Sequence, residues 1–280
     1  MNEQITSVKV GNLRGKRVLY WMSREQRVEA NFGLLAASEY ANKRGLTLVV
    51  AFCVAPEFLG AAPEAFSFMG EGLKEVEGAL VSKNIPFKLL YGNPSFEIVK
   101  FALMAEAEAI FCDFDPLRVK KAWQKELKEA FDGSIYEVDS HNIIPARFVS
   151  NKKEFAAYTI RPKIHKLLPQ FLIAPPQLAA QDGVQIFYQN DFLALDILPK
   201  NSYFTSGRTA AIKRLNEFLE TKLDGYAAYR NDPTKDYQSG LSVYLHFGQI
   251  SSLEIAIRVK EVNANEQSKE AFLEELIVRK

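Results

Sequence analysis

Residues 17–53 read RVLYWMSREQRVEANFGLLAASEYANKRGLTLVVAFC, and their pattern decides the fold. Two short apolar runs, Arg17–Met22 and Leu46–Cys53, flank a segment, Val28–Arg44, in which Phe32, Leu35, Ala36 and Tyr40 recur at helical spacing. Gly45 follows as a helix stop, so the spacing predicts strand, helix, strand. Toward the C-terminus the unit repeats. A helix over Phe66–Lys83 is halted by Asn84 and Pro86, and FKLLY (Phe87–Tyr91) is a third strand. Pro94 opens a helix over Ser95–Ala105 at a favoured position. AIFCD (Ala109–Asp113), a helix over Leu117–Phe131 and SIYEV (Ser134–Val138) complete the series. Near-continuous apolar strands alternating with helices predict the α/β class: a doubly wound, parallel, five-stranded sheet with helices on both faces. Toward the N-terminus, MNEQITSVKVGNLRGKR is polar and lacks the apolar core of a signal peptide.

Beyond residue 139 the rhythm changes. Asp139–Lys153 has no clean period, and Pro162, Pro169, Pro175 and Pro176 are expected to break the stretch that follows. Ala174–Ser202 is loop-like. From Gly207 onward only helical spacing remains, over Thr209–Leu223, Ile250–Val262 and Lys269–Lys280. The organisation read from this is an α/β domain over 1–173, a connector over 174–206 and the first helices of an all-helical domain over 207–280. The last helical pattern meets no stop signal before Val278-Arg279-Lys280, so an incomplete helical domain is expected. Leu241, Leu245, Phe247, Leu276 and Ile277 are then expected to lie partly exposed.

Composition bounds the chemistry. With 280 residues, 48% hydrophobic and 25% charged, the chain has the balance of a soluble globular protein. A net charge of +1 excludes recognition of nucleic acid by overall basicity and leaves only a local basic patch. Cys53 and Cys112 each sit in apolar runs and read as reduced core thiols. His141, His165 and His246 are too dispersed for a zinc pattern, so no metal is expected. No segment has the length of a membrane span, and a cytoplasmic setting without an obligate protein partner is expected.

WMSREQR stands where a dinucleotide fingerprint would place its glycines, which excludes the simplest dehydrogenase reading. Ser23, Arg24 and Arg27 follow the first strand, where ligands of such sheets bind; the plain alternative is a polar loop with its charges in solvent. Asp113, Asp115 and Arg118 read either as a charged site or as local helix caps. In the helical part, Tyr226 and Tyr229 precede Arg230-Asn231-Asp232-Pro233, and Gln238-Ser239-Gly240-Leu241-Ser242 leads into a helix. Small hydroxyl residues around a glycine suit a phosphate, or an ordinary cap by Ser239 or Ser242. Glu275 and Arg279 are four apart and share a helix face.

The blocks VLYWMSREQRVEANF, FSFMGEGLKEVEGAL, NIPFKLL, CDFDPLR, VDSHNIIPARFVSNKKEFAAYTIRPKI, YAAYRNDP, LSVYLHFGQIS and FLEELIV run in order along nearly the whole chain. Together they resemble the N-terminal portion of the class II cyclobutane pyrimidine dimer photolyases, and VDSHNIIP followed by TIRPKI is the part characteristic of class II. The resemblance implies an α/β antenna domain, a long connector and a helical domain that holds FAD. It makes Tyr226 a flavin contact and the loop Gln238, Ser239, Gly240, Leu241, Ser242 the binder of the FAD phosphates. Arg279 falls at a flavin-side position. Arg230 and Asn231 would enter the gap left when a pyrimidine dimer flips out of double-stranded DNA, and Glu275 would hydrogen-bond that dimer.

The activity implied is that of a deoxyribodipyrimidine photo-lyase. Light-excited reduced FAD passes an electron to the dimer, the ring splits and the electron returns, while the protein supplies orientation and electrostatics. An antenna chromophore is implied without its identity. Gly240 and Val243 depart from an asparagine and a proline common in the family loop. Because the family continues beyond the point matched by Lys280, the 280-residue chain alone is expected neither to hold FAD tightly nor to repair DNA. Two other classes remain open: a non-catalytic antenna-like remnant that binds a chromophore, nucleotide or protein, and a cryptochrome-like photosensor.

Overall fold

The computed structural model describes residues 2–152, 154–183, 185–201 and 203–279. The reading of a chain end at Lys280 therefore lies outside the described residues, as do Lys153 and Ser202 at the ends of two irregular stretches. The α/β half contains β1 (Ile5–Lys9), β2 (Arg17–Met22), α1 (Phe32–Arg44), β3 (Thr47–Val54), α2 (Pro63–Val81), β4 (Phe87–Tyr91), α3 (Pro94–Met104), β5 (Ala107–Asp113), α4 (Arg118–Ala130) and β6 (Ser134–Val138). The sheet order is β1-β6-β5-β2-β3-β4, parallel throughout except that β1 runs antiparallel to β6.

The sheet thus has six strands, where the sequence pattern predicts five. ITSVK escapes that pattern because every residue of β1 is only half-buried or exposed. Its strand character comes from pairing with β6, not from apolar burial. The five parallel strands otherwise stand where the spacing puts them. Alternate residues divide between the faces with period two. Leu19, Trp21, Val49, Ala51, Ile110 and Cys112 pack beneath α3 and α4, and Val18, Tyr20, Met22, Leu48, Val50, Phe52 and Phe111 pack on the other side. Complete burial of such side chains contributes about 1.5–3 kcal/mol each.

Helix α1 begins at Phe32, four residues later than the spacing predicts, because the Asn31 side chain accepts from the Leu34 N–H and caps it there. Gly45 closes the helix in the left-handed conformation. The second half holds α5 (Ala146–Val149), α6 (Ala157–Phe171), α7 (Leu193–Asp196), α8 (Arg208–Thr221), α9 (Tyr226–Tyr229), α10 (Ser242–His246), α11 (Ser252–Glu261) and α12 (Glu266–Ile277). Contrary to expectation, Pro162 and Pro169 do not break α6, which runs through both. Pro162 is exposed, so the carbonyl it deprives of a partner faces water. The opposite stripe, Ile160, Ile164, Leu167, Leu168 and Phe171, packs on the core and holds the helix.

That core runs unbroken from one sheet face into the helical segment and includes Phe218, Tyr226, Leu253 and Phe272. Leu241 and Leu276 belong to it, at 1% and 6% exposure, so the expectation that they lie exposed fails; Leu245, Phe247 and Ile277 are half-buried. The connector covers the outer edge of the sheet. Asn190 accepts from the Leu89 N–H and donates to the Phe87 carbonyl of β4. Gln181 makes the same pair of bonds to the main chain of Leu48.

Candidate functional site

Between β2 and β5 the order of the sheet reverses, so the loops leaving their carboxyl ends diverge and open a crevice. Asp113, the last residue of β5, reaches across it. Its Oδ2 accepts from the main-chain N–H groups of Ser23, Arg24 and Glu25 at 2.9, 2.8 and 3.1 Å. Its Oδ1 accepts from the Tyr20 hydroxyl at 2.5 Å. Successive amides at the end of a first strand are where doubly wound sheets bind phosphate; here an internal carboxylate occupies them. Burial, and after it the neighbouring Glu25, pushes the Asp113 carboxyl up, while these hydrogen bonds pull it back. Asp115 accepts from the Leu117 N–H at 3.0 Å in the turn before α4, but Leu117 stands at the N-cap and no side chain caps this helix, so the capping alternative of the sequence reading does not hold there.

The loop after β2 is not a set of solvated charges. Arg27 is 1% exposed. Its guanidinium bonds the Glu25 carboxylate and the carbonyls of Glu29, Ala30 and Ser140. A fifth bond, 2.9 Å long, goes to the carbonyl of Gly248 in the helical half. Gly248 has φ +65°, and a Cβ there would stand 2.1 Å from the Arg24 carbonyl oxygen, so the turn after α10 lies directly on this loop. His141 joins the network. Arg24 donates to Nε2 at 2.8 Å, and because a guanidinium has no acceptor, Nδ1–H is left to donate to Glu25 at 3.1 Å.

Above the crevice lies a cavity of about 620 Å³. Arg24, His141 and Asp115 form its floor, Phe58, Phe66 and Trp123 its aromatic walls, and Ser242, His246 and Glu275 its helical side. The Lys120 ammonium stands 5.3 Å from the Phe58 ring centre and 5.1 Å from that of Trp123. Burial lowers its proton affinity against the pull of Asp115 and Asp113. Phe58 and Lys120 escape sequence reasoning because a single aromatic in a loop and a lysine on a charged helix carry no periodic signal; only the tertiary fold brings them together.

Cys53, on the cavity wall, and Cys112, beneath the sheet, are both buried free thiols, each pushed up to about 12 by burial. At pH 8 the reactive thiolate is therefore scarce in the folded chain. A chromogenic disulfide reagent is expected to leave both thiols unmodified until denaturant is added, and then to titrate two per chain. Prompt reaction of the native protein would contradict this placement.

The helical candidates form a second cluster. Arg230, just beyond α9, donates to Glu275 on α12 at 2.9 Å and to the Ala271 carbonyl at 3.3 Å. Its guanidinium lies 5.7 Å from the Tyr226 ring centre. Arg279 approaches the same Glu275 carboxylate at 3.5 Å. Tyr226 is 6% exposed and packs edge-on against Phe218 and Phe272, and burial is the main cause that raises its phenol. Gln238 turns back to donate to the Arg230 carbonyl.

Ser239 accepts from the Leu241 N–H at 3.3 Å, closing a local turn. No side chain caps α10, so neither Ser239 nor Ser242 plays the capping role. Gly240 takes φ +64°, a conformation that favours glycine. Uncapped amides, two serines and this glycine fit a phosphate-bearing group such as the pyrophosphate of FAD. Asn231 sits in the turn after Arg230, and the structure brings no other candidate onto it. Among the described residues no group of His, Cys, Asp and Glu could hold a metal ion, and no helix is long and apolar enough to cross a membrane.

A family model described as DNA photolyase matches residues 18–181. The chain is 35% identical to the deoxyribodipyrimidine photo-lyase of Arabidopsis thaliana over 94% of its own length and 57% of that protein's. With the photo-lyase of Potorous tridactylus it shares 34% identity, over 94% of this chain and 52% of the relative. It thus spans little more than half the length of these relatives. Among solved structures, a class III photolyase from Agrobacterium tumefaciens superposes with a TM-score of 0.76 at 19% identity, covering 98% of this chain and 59% of that one. A Synechocystis cryptochrome gives 0.72 at 18%, over 94% and 60%. A photolyase from Sulfolobus tokodaii, solved with two FAD molecules, gives 0.71 at 18%, over 93% and 57%. At such identities these likenesses show the fold alone.

Proposed function

The chain belongs to the DNA photolyase family, and on that footing we propose that it serves light-driven repair of cyclobutane pyrimidine dimers in double-stranded DNA, as a class II member. The observation that carries the reading is the meeting of Arg230, Glu275 and Arg279, with Tyr226 beneath them. These are the positions the family pattern gives to dimer and flavin. FAD, when bound and reduced, would supply a light-excited electron. The loop from Gln238 to Ser242 would hold its phosphates with main-chain N–H groups and the two serine hydroxyls. Glu275 has a carboxylate to accept from a pyrimidine N–H. Because Arg230 bonds that carboxylate, its entry with Asn231 into the gap left by a flipped dimer requires it to let Glu275 go. The ion pair is therefore exchanged for contacts to DNA.

The sheet side of the cavity, away from Ser242 and Glu275, suits the second chromophore. Phe58, Phe66 and Trp123 offer flat apolar walls, and Lys120 a positive charge for a conjugated ring system that carries negative charge. The Sulfolobus tokodaii structure, whose description implicates a novel light-harvesting cofactor, supports a second pigment in this family. A cryptochrome-like photosensor is the second reading, favoured by the Synechocystis likeness.

One experiment separates the two. A gene product containing this chain, supplied with reduced FAD, is illuminated with an oligonucleotide bearing a defined dimer, and dimer loss is followed by chromatography. Light-dependent loss is expected, slowed roughly tenfold or more by Glu275→Gln, as for removal of one positioned charged partner. Persistence of the dimer under illumination with the reduced flavin bound would favour the photosensor.

A further inference from the structure

The net charge of +1 leaves any polyanion to be met by a local patch, and the sequence holds one that the site above does not use. Between Arg147 and Lys166 stand six cationic residues and a single acidic one, Glu154. Aromatic residues are interleaved with them: Phe148, Phe155 and Tyr158. In the fold the described residues of this stretch are α5 from Arg147, an irregular link around Lys153, which lies outside the described residues, and α6 as far as Lys166. The apolar stripe of α6 faces the core, so Tyr158, Pro162, His165 and Lys166, three to four residues apart, turn outward together. Phe155 is 78% and Tyr158 65% exposed, their rings 6.1 Å apart and edge to face. Neither buries its ring in the protein.

The charges divide in two. Lys163 is tied to Glu154 and Arg161 to Glu274, at 2.6 Å each, and Arg147 to Glu137. Lys152 and Lys166 are exposed and make no ion pair among the described residues. The patch is continuous with the candidate site, because Glu274 holds Arg161 on one side and Arg279 on the other, and Glu275 is the next residue of α12.

We infer that the segment from Arg147 to Lys166 is a second nucleic-acid contact, which grips the phosphate backbone of duplex DNA beside the Glu275 site. Lys152 and Lys166 supply the unpaired charge, and Phe155 and Tyr158 supply ring faces for sugars or unstacked bases. Cations neutralise phosphates and release counterions irrespective of sequence, and exposed rings beside a basic track are the pattern of backbone-following surfaces. The partner is DNA, as in the repair reading on which the inference rests; the surface is separate from Arg230 and Asn231.

The test uses the whole chain and a lesion-free labelled duplex, followed by fluorescence anisotropy over a series of salt concentrations. Lys152→Gln with Lys166→Gln is expected to weaken binding roughly tenfold at low salt and to flatten the slope of log affinity against log salt by about 2. Phe155→Ala with Tyr158→Ala is expected to weaken binding with the slope unchanged. All four side chains are exposed, so the variants fold, and thermal melting verifies it. Wild-type affinity and slope in the lysine pair would overturn the inference, as would a wild-type chain that retains anionic lipid vesicles but no duplex. Failure of dimer repair with this binding intact would count against the repair reading alone.

Discussion

Arg27→Ala is expected to cost about 3–5 kcal/mol of folding stability, the scale of breaking a buried ion pair by removing one partner. The substitution takes from Glu25, which is 2% exposed, its closest cation and leaves it Arg24 at 3.9 Å and the His141 ring. It also removes the donors from four buried or half-buried carbonyls. One of these belongs to Gly248, so the loss is felt on both sides of the contact between sheet and helices. For a chain of this size the melting temperature falls by on the order of 10 °C. Arg27→Lys keeps the charge but not the planar fork, and a lysine amine cannot span five acceptors; it is expected to recover less than half of the loss. Differential scanning calorimetry of the three proteins checks the order. A variant within about 1 kcal/mol of wild type would mean that water takes over the bonds of the guanidinium.

Asp113→Ala is expected to cost a similar amount, about 3–5 kcal/mol, by a different route. Three main-chain N–H groups lose their shared acceptor, while the Tyr20 hydroxyl keeps only Asn31 Oδ1 at 3.2 Å, and each unsatisfied donor costs about 1–3 kcal/mol with partial relaxation. Asp113→Asn is no remedy. An amide nitrogen facing the Tyr20 hydroxyl cannot accept, and that hydroxyl already receives a bond from Asn31. The vacated amides form an anion nest. Sulfate is therefore expected to raise the melting temperature of Asp113→Ala more than that of wild type, beyond the effect of chloride at matched ionic strength. An equal response of both proteins would show that the three amides do not converge on one anion.

Much of this architecture was legible beforehand because it is written in periodicity. The strands from Arg17 to Val138 are apolar runs separated by helical spacing, and burial on both faces is what such runs require. Two features were not legible. Ile5–Lys9 carries no apolar signal because it pairs only at an edge, and α6 survives two prolines because tertiary packing outweighs the bonds they remove. The loop after β2 shows the same limit at the site. Ser-Arg-Glu-Gln-Arg excludes a glycine fingerprint by inspection, but that Asp113, ninety residues away in sequence, fills the amides, and that Arg27 is buried and not solvated, follows from strand order alone. In the helical half, the cluster around Glu275 was reached through family resemblance. Tyr226 and Arg230 are four apart and share a helical face, but no local period brings Glu275, 45 residues further on, to Arg230.

The connector has a consequence for the behaviour of this protein in a crowded solution. An open sheet ends in two rows of unsatisfied main-chain groups, and such rows are templates for a strand from another molecule. Here one edge is β1 itself, only five residues long and running against the direction of its neighbour. On the other, the side-chain amides of Asn190 and Gln181 imitate a peptide unit and take up the donors and acceptors of β4 and β3. The segment between sheet and helices is therefore more than a tether: it is a guard against runaway strand addition between copies, and a chain deprived of it would be left sticky along one side.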